Sequence, residues 1–189
     1  MRQMLDHSCQ VNRAPLEERR GDCYDTPAVA VEALLRHERL PHRIWEPAAG
    51  TGNIVRVLRA AGHEVLATDL NDRGCPDCTS RIDFLFPTYQ SVDCICTNPP
   101  FALAEEFVEV ALERAPMVIM LLRLAFFESE RRAYLLEGRH LARIHVFANR
   151  LPDMSGKGAV NCGMAMAWFV WDASHVGPTT IDRIRWGST

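Results

Sequence analysis

Thr97-Asn98-Pro99-Pro100-Phe101 follows the apolar run 92–96, so an amide, two prolines and an aromatic ring stand where a buried strand should emerge. Consecutive prolines fix their own φ, lack N–H donors and hold the preceding residue extended, which stiffens the chain beyond the strand. The Asn98 side-chain oxygen and the Pro99 carbonyl are then two acceptors at one strand end. Such a pair suits an exocyclic amine, and Phe101 offers a face for a flat ring. The plainer reading of Asn98 is a turn former.

A second constellation precedes it. Glu46-Pro47-Ala48-Ala49-Gly50-Thr51-Gly52 puts glycines at the tip of a β-to-α turn, where a ligand can approach bare backbone. The dinucleotide fingerprint fails, because its third glycine would fall at Val55 and Glu-Pro leads into the turn. An acid at that turn receives an amine or cation, whereas a pyrophosphate prefers a bare helix N-terminus. The pattern points to a nucleoside that carries an amino acid. Asp69-Leu70 closes the next apolar run, where a carboxylate either accepts both hydroxyls of a ribose or caps a turn. Asp83-Phe84 offers a carboxylate and a ring to an adenine, or only an acidic turn residue.

These residues need elements to carry them. Apolar periodicity predicts a helix over 26–39 capped by Thr26-Pro27, a strand over 43–46, a helix over 54–61 and a strand over 64–70. An irregular stretch 71–81 and a short segment 82–86 lead to a strand over 92–97, a helix over 102–113 and a strand over 117–122. A charged helix over 129–138, a strand over 141–148 and an aromatic-rich last strand over 164–171 complete the pattern. Alternating strands and helices predict a doubly wound, mostly parallel α/β sheet with helices on both faces. Residues 1–21 lack periodicity and read as a loosely ordered lead-in, and 22–189 as a single domain. The long connection 149–163, which holds Lys157, is either functional or unstructured.

Taken together, Glu46 to Gly52, Asp69, Asp83-Phe84 and Asn98 to Phe101 resemble the motifs of S-adenosylmethionine-dependent amino-methyltransferases, most closely the N6-adenine DNA type. Asn-Pro-Pro-Phe after Thr97 is more similar to the nucleic-acid adenine enzymes than to the protein-glutamine methyltransferases, which usually end the motif in Tyr. Tyr24-Asp25-Thr26-Pro27 is similar to a family motif that contacts the methionine part of the cofactor. The resemblance covers 22–172, and the whole chain looks like small phage and prophage methyltransferases, with a similar tail at Ala167-Trp168-Phe169-Val170-Trp171 and Gly177-Pro178-Thr179-Thr180.

The resemblance implies a Rossmann-like class I methyltransferase sheet with an antiparallel C-terminal strand, and S-adenosylmethionine as cofactor. Tyr24, Thr26, Glu46, Pro47, Ala48, Gly50 and Gly52 would then cradle its methionine end, Asp69 and Leu70 the ribose, and Asp83 and Phe84 the adenine. Asn98, Pro99, Pro100 and Phe101 would act on the N6 amine of adenine in DNA, with Asn98 also bordering the cofactor. The alternatives are RNA adenine, a protein glutamine amide, or a silent cofactor- or nucleic-acid-binding protein. Larger family members carry a target-recognition domain that this chain is expected to lack, so a second copy or a partner protein would supply recognition.

Composition narrows the surroundings. The net charge of −3 provides no global basic field for nucleic acid, so any binding must come from a local patch. Arg123, just past the strand at 117–122, stands at a sheet edge where ligands bind in open α/β folds, whereas Arg131 and Arg132 read as a solvated helix face. Seven cysteines in a chain of 189 residues fit a reducing cytoplasm rather than a disulfide framework. No apolar run has the length of a signal core or a membrane span, so no membrane association is expected. Cys75-Pro76-Asp77-Cys78 has metal-site spacing but only two ligands where structural zinc takes four, and no metal is expected. Cys94, Cys96, Trp168 and Trp171 read as core residues.

Overall fold

Along the middle strands nearly every residue is apolar, as expected for a sheet covered on both faces. The computed structural model describes residues 24–86, 92–138, 140–155, 158 and 160–187. The lead-in 1–21 and Lys157 lie outside the described residues. Eight strands form one sheet: β1 Arg43–Glu46, β2 Glu64–Asp69, β3 Thr79–Ser80, β4 Cys94–Thr97, β5 Met117–Arg123, β6 Leu141–Phe147, β7 Met166–Asp172 and β8 Thr180–Ile184. Their spatial order is β3-β2-β1-β4-β5-β7-β6-β8, and the order reverses beside β1 and β4, the switch point where open α/β sheets bind ligands. All neighbours run parallel except β7, which is antiparallel to β5 and β6.

Among the described residues the α-helices are α1 Ala28–His37, α2 Asn53–Ala60, α3 Ala104–Arg114 and the single turn α4 Ala133–Leu136. Alternation along the strands feeds two cores. Cys94, Cys96, Ile119, Leu121, Trp168 and Val170 face α1 and α2, while Ile95, Val118, Met120, Leu122, Phe169 and Trp171 face α3 and α4. Both tryptophans are wholly buried and spend their N–H donors inside, Trp168 on the Ala30 carbonyl and Trp171 on that of Leu135.

Several elements depart from expectation. Thr26 makes no capping bond; Pro27 holds the N-cap position, and α1 ends at His37 because Glu38 turns extended. The charged helix over 129–138 is a 3-10 turn, Glu130–Arg132, followed by the short α4, since only Leu135 and Leu136 have apolar surface to bury. The short segment 82–86 is a turn, in which Asp83 accepts the Leu85 N–H. The last strand is not at 164–171, for β8 follows it and pairs with β6. Its largely exposed residues carry no periodic signal that a sequence could reveal. Among the described residues no helix is long and apolar enough to cross a membrane.

Trp168 tests how far the α1 side depends on a polar anchor. Trp168→Phe removes a donor from a wholly buried site and leaves a void, so urea unfolding should register a loss of about 1–3 kcal/mol.

Candidate active site

The turn after β1 is built by backbone bonds that need glycine. Gly50 has φ +55° and gives its N–H to Asp69 Oδ2 at 2.9 Å, and Gly52 has φ +87° at the start of α2. A Cβ on Gly52 would stand 2.7 Å from Cys75 Sγ, so the irregular stretch 71–81 packs directly against this turn. Cys75 and Cys78 are thereby half-buried packing residues, and no group of three or more metal-ligating side chains occurs among the described residues.

One cleft lies over the C-terminal ends of β1, β2 and β4. Tyr24, Thr26, Pro47, Ala48, Gly50, Asp69, Leu70, Asp83, Phe84, Asn98, Pro99 and Pro100 all border it, so most of the residues singled out in the sequence meet there. Glu46, Gly52 and Phe101 do not border it. Asp25, read in the sequence only as part of the Tyr24 to Pro27 motif, also borders it, as do the polar residues Asn53, Asn71 and Arg73, which carry no local signal.

Asp69 is 7% exposed, and its carboxylate is locked by the N–H groups of Gly50 and Asn71, the latter on Oδ1 at 2.8 Å. It is thus an oriented acceptor at the tip of β2, with Arg73 at 4.0 Å. Phe84 borders the cleft but is 2% exposed and packs between Trp45 and Phe107, with the Arg114 guanidinium 4.8 Å from its ring centre.

Glu46 lies behind the cleft wall, fully buried. Its Oε1 accepts the Ala48 N–H at 2.9 Å and the Thr97 hydroxyl at 2.5 Å, while Oε2 has no partner. Burial pushes its pKa up to about 8, only partly offset by the Thr97 and Ala48 bonds, with the nearby Asp69 charge adding to the rise. A proton on Oε2 therefore removes the cost of an unsolvated charge.

Thr97 carries this support into Asn98. The Asn98 Nδ2 donates to the Tyr24 carbonyl at 2.8 Å, which fixes the amide orientation, since a carbonyl only accepts. The other end, Oδ1, is buried without a partner. The Tyr24 ring stacks on Phe101 at 4.6 Å and 26°, and Arg123 lies over Phe101 at 4.4 Å. Asp25, next to Tyr24, accepts the Thr51 hydroxyl at 3.0 Å and donates its N–H to Met154, so the strap 24–26 ties the glycine turn, Asn98 and the 149–163 connection together.

No protein-family model matches the chain, and no curated protein matches it in sequence. Solved structures do match its fold. One, from Pyrococcus horikoshii, is described as a candidate RNA methyltransferase: 15% identity, TM-score 0.57, with 78% of this chain and 84% of that one covered. Another, from Vibrio vulnificus, is described as a modification subunit of a candidate type I restriction enzyme: 15% identity, TM-score 0.57, and 82% of this chain, which spans only 45% of that longer one. A third belongs to the E. cuniculi Mtq2-Trm112 complex, described as methylating the eRF1 translation termination factor: 19% identity, TM-score 0.58, with 81% and 99% covered. The sheet order, the antiparallel β7 and these likenesses give the fold as that of the Rossmann-like class I methyltransferases.

Glu46→Gln keeps the Oε1 acceptor and places an uncharged group at Oε2. Between about pH 4.5 and pH 8 the folded protein retains the Glu46 proton and the unfolded chain has lost it, so rising pH favours unfolding. Urea unfolding should show the stability of the parent falling relative to Glu46→Gln across that window, by at most about 1.4 kcal/mol per pH unit, with no further change outside it.

Proposed function

We propose that the cleft binds S-adenosylmethionine and that the protein transfers its methyl group to the exocyclic N6 amine of adenine in DNA. The observation that carries this reading is the buried, unpartnered Oδ1 of Asn98 beside a turn that holds an oriented carboxylate. A buried acceptor left open is costly and expects a donor from a ligand.

The cleft fits the cofactor by shape and charge. Gly50 brings bare backbone to the surface, and a Cβ there would stand 3.6 Å from the Asp25 carboxylate, so a side chain would fill the space a ligand needs. Asp25, Asp69 and Asp83 border the cleft against one cation among the described lining residues, Arg73, a balance that favours a positively charged ligand. Asp69 would receive the ribose hydroxyls on lone pairs not used by Gly50 and Asn71, and Leu70, Asp83 and Phe84 would border the adenine. Asp25, Ala48 and the glycine turn would hold the amino-acid end. Glu46 would act from behind the wall through Ala48 and Thr97. When bound, the cofactor supplies an electrophilic methyl group on a sulfonium.

The chain's own residues do the rest. Asn98 Oδ1 and the Pro99 carbonyl accept the two N–H bonds of the target amine, which turns the nitrogen lone pair toward the methyl carbon. The two acceptors would stabilise the positive charge that develops on the target nitrogen as it takes the methyl group, before its proton leaves. No strong base is required. The Tyr24–Phe101 column beside Asn98 supplies aromatic surface for a flat base, which in duplex DNA must first leave the stack. DNA is favoured over protein by Phe101 at the motif's last position.

Transfer of labelled methyl from S-adenosylmethionine to DNA, RNA and protein separates the substrates. Label is expected in DNA as N6-methyladenine; label confined to RNA or to glutamine would move the substrate, and cofactor binding without transfer would make the protein a silent binder. Asn98→Ala should lower transfer by on the order of 100-fold while leaving S-adenosylhomocysteine binding intact. Unchanged transfer would sink the mechanism. Asp69→Asn should weaken S-adenosylhomocysteine by about tenfold or more in calorimetry, as expected when a charged acceptor is lost.

A further inference from the structure

Arg123 ends β5, one strand over from Asn98: Thr97 pairs with Met120, which puts Arg123 three residues beyond the last paired position. It is exposed, its backbone belongs to the β5–β7 ladder, and among the described residues its side chain has no ion pair or hydrogen bond. Its one specific contact is with the ring of Phe101, the last residue of the catalytic motif. The neighbouring arginines are spent differently. Arg131 and Arg132 both pair with Glu105, Arg143 pairs with Glu38 and Asp172, and Arg114 donates to the Phe84 and Phe86 carbonyls.

A guanidinium that stacks through its face keeps its N–H edge free, and that edge is a planar fork matched to two phosphate oxygens. Stacking also removes rotamer freedom before a ligand arrives, so less entropy is lost when the fork is used. The interior of the cleft carries three aspartates and would repel a phosphodiester; a cation at its rim, beside the acceptors for the target amine, would attract one.

We propose that Arg123 grips a backbone phosphate of DNA next to the target adenine, using Phe101 as its platform, and so sets where the strand lies relative to Asn98. This rests on the function proposed above. Arg123 is then a positioning residue of the substrate, held outside the cofactor cleft.

The test is the salt dependence of oligonucleotide binding, read by fluorescence anisotropy on labelled duplex and single strands with S-adenosylhomocysteine present. The parent, Arg123→Gln and Arg123→Lys are compared between about 50 and 200 mM salt. Loss of one phosphate contact should lower the slope of log K against log salt by about 0.9 on duplex or about 0.7 on a single strand. The affinity deficit of Arg123→Gln should then be about 3.5-fold larger on duplex at the low end of that range than at the high end. Arg123→Lys should keep the parental slope, because it keeps the charge, and calorimetric S-adenosylhomocysteine binding should be the same for all three. An unchanged slope in Arg123→Gln overturns the phosphate contact and leaves the proposed function standing. Equal loss of slope in both variants would make the residue's role packing and overturn it as well. A parent that binds S-adenosylhomocysteine but no oligonucleotide removes both the DNA substrate and this contact.

Discussion

The geometry at the centre of the sheet depends on one buried carboxylate oxygen. Glu46 Oε1 accepts from Ala48 in the turn after β1 and from Thr97 at the end of β4, strands that are adjacent but far apart in sequence. That shared acceptor sets the distance between the turn that would hold a cofactor and the strand end that would hold its target. Two donors on one oxygen, with the second oxygen unpartnered, is an expensive arrangement in a fully buried site. The group meets the cost by retaining its proton, and the bonds to Ala48 and Thr97 survive because they use the other oxygen.

From Thr97 the constraint passes outward. Asn98 follows a residue whose hydroxyl is anchored, precedes two prolines that stiffen the backbone, and has its amide nitrogen held by Tyr24. Each support restricts a different freedom: strand position, chain direction and side-chain rotation. Tyr24 then depends on the strap that Asp25 fastens to Thr51 and Met154, so the glycine turn is held from below by Glu46 and from above by Asp25. Asp69 closes the same ring from β2 through Gly50. The acceptor end of Asn98 is thus fixed by groups from four separate parts of the chain.

The fold was legible where burial imposes a period. Runs such as 117–122 and 166–171 are apolar throughout because both sheet faces are covered, and Cys94 and Cys96 separated cleanly from Ile95. It was illegible where exposure removes the pattern: β8 is four-fifths exposed along its length, and β3 is two residues held by pairing to β2 alone. The site was legible in its motifs because glycine, proline and asparagine at a strand end have few structural uses. What the motifs could not convey was depth. Glu46 and Phe84 were read as ligand contacts, yet one stands behind the wall and the other is largely committed to an aromatic cluster. Type and spacing determine which residues converge; only packing decides which atoms remain open.

Charge sorts the two sides of the site. Inside, Asp25, Asp69 and Asp83 outnumber Arg73, and of the three carboxylates Asp69 is the buried one. At the rim, Tyr24, Phe101 and Arg123 form an aromatic column ending in a cation. A chain with an overall charge of −3 cannot gather nucleic acid by its mean field, so a local cation has its effect only if it is oriented and close to the chemistry. Under the proposed function, this division separates a cationic donor from a polyanionic acceptor by the thickness of one motif. Asn98 stands at the boundary, lining the cleft and tied to the rim through Nδ2, which is where a group that must meet both ligands has to be.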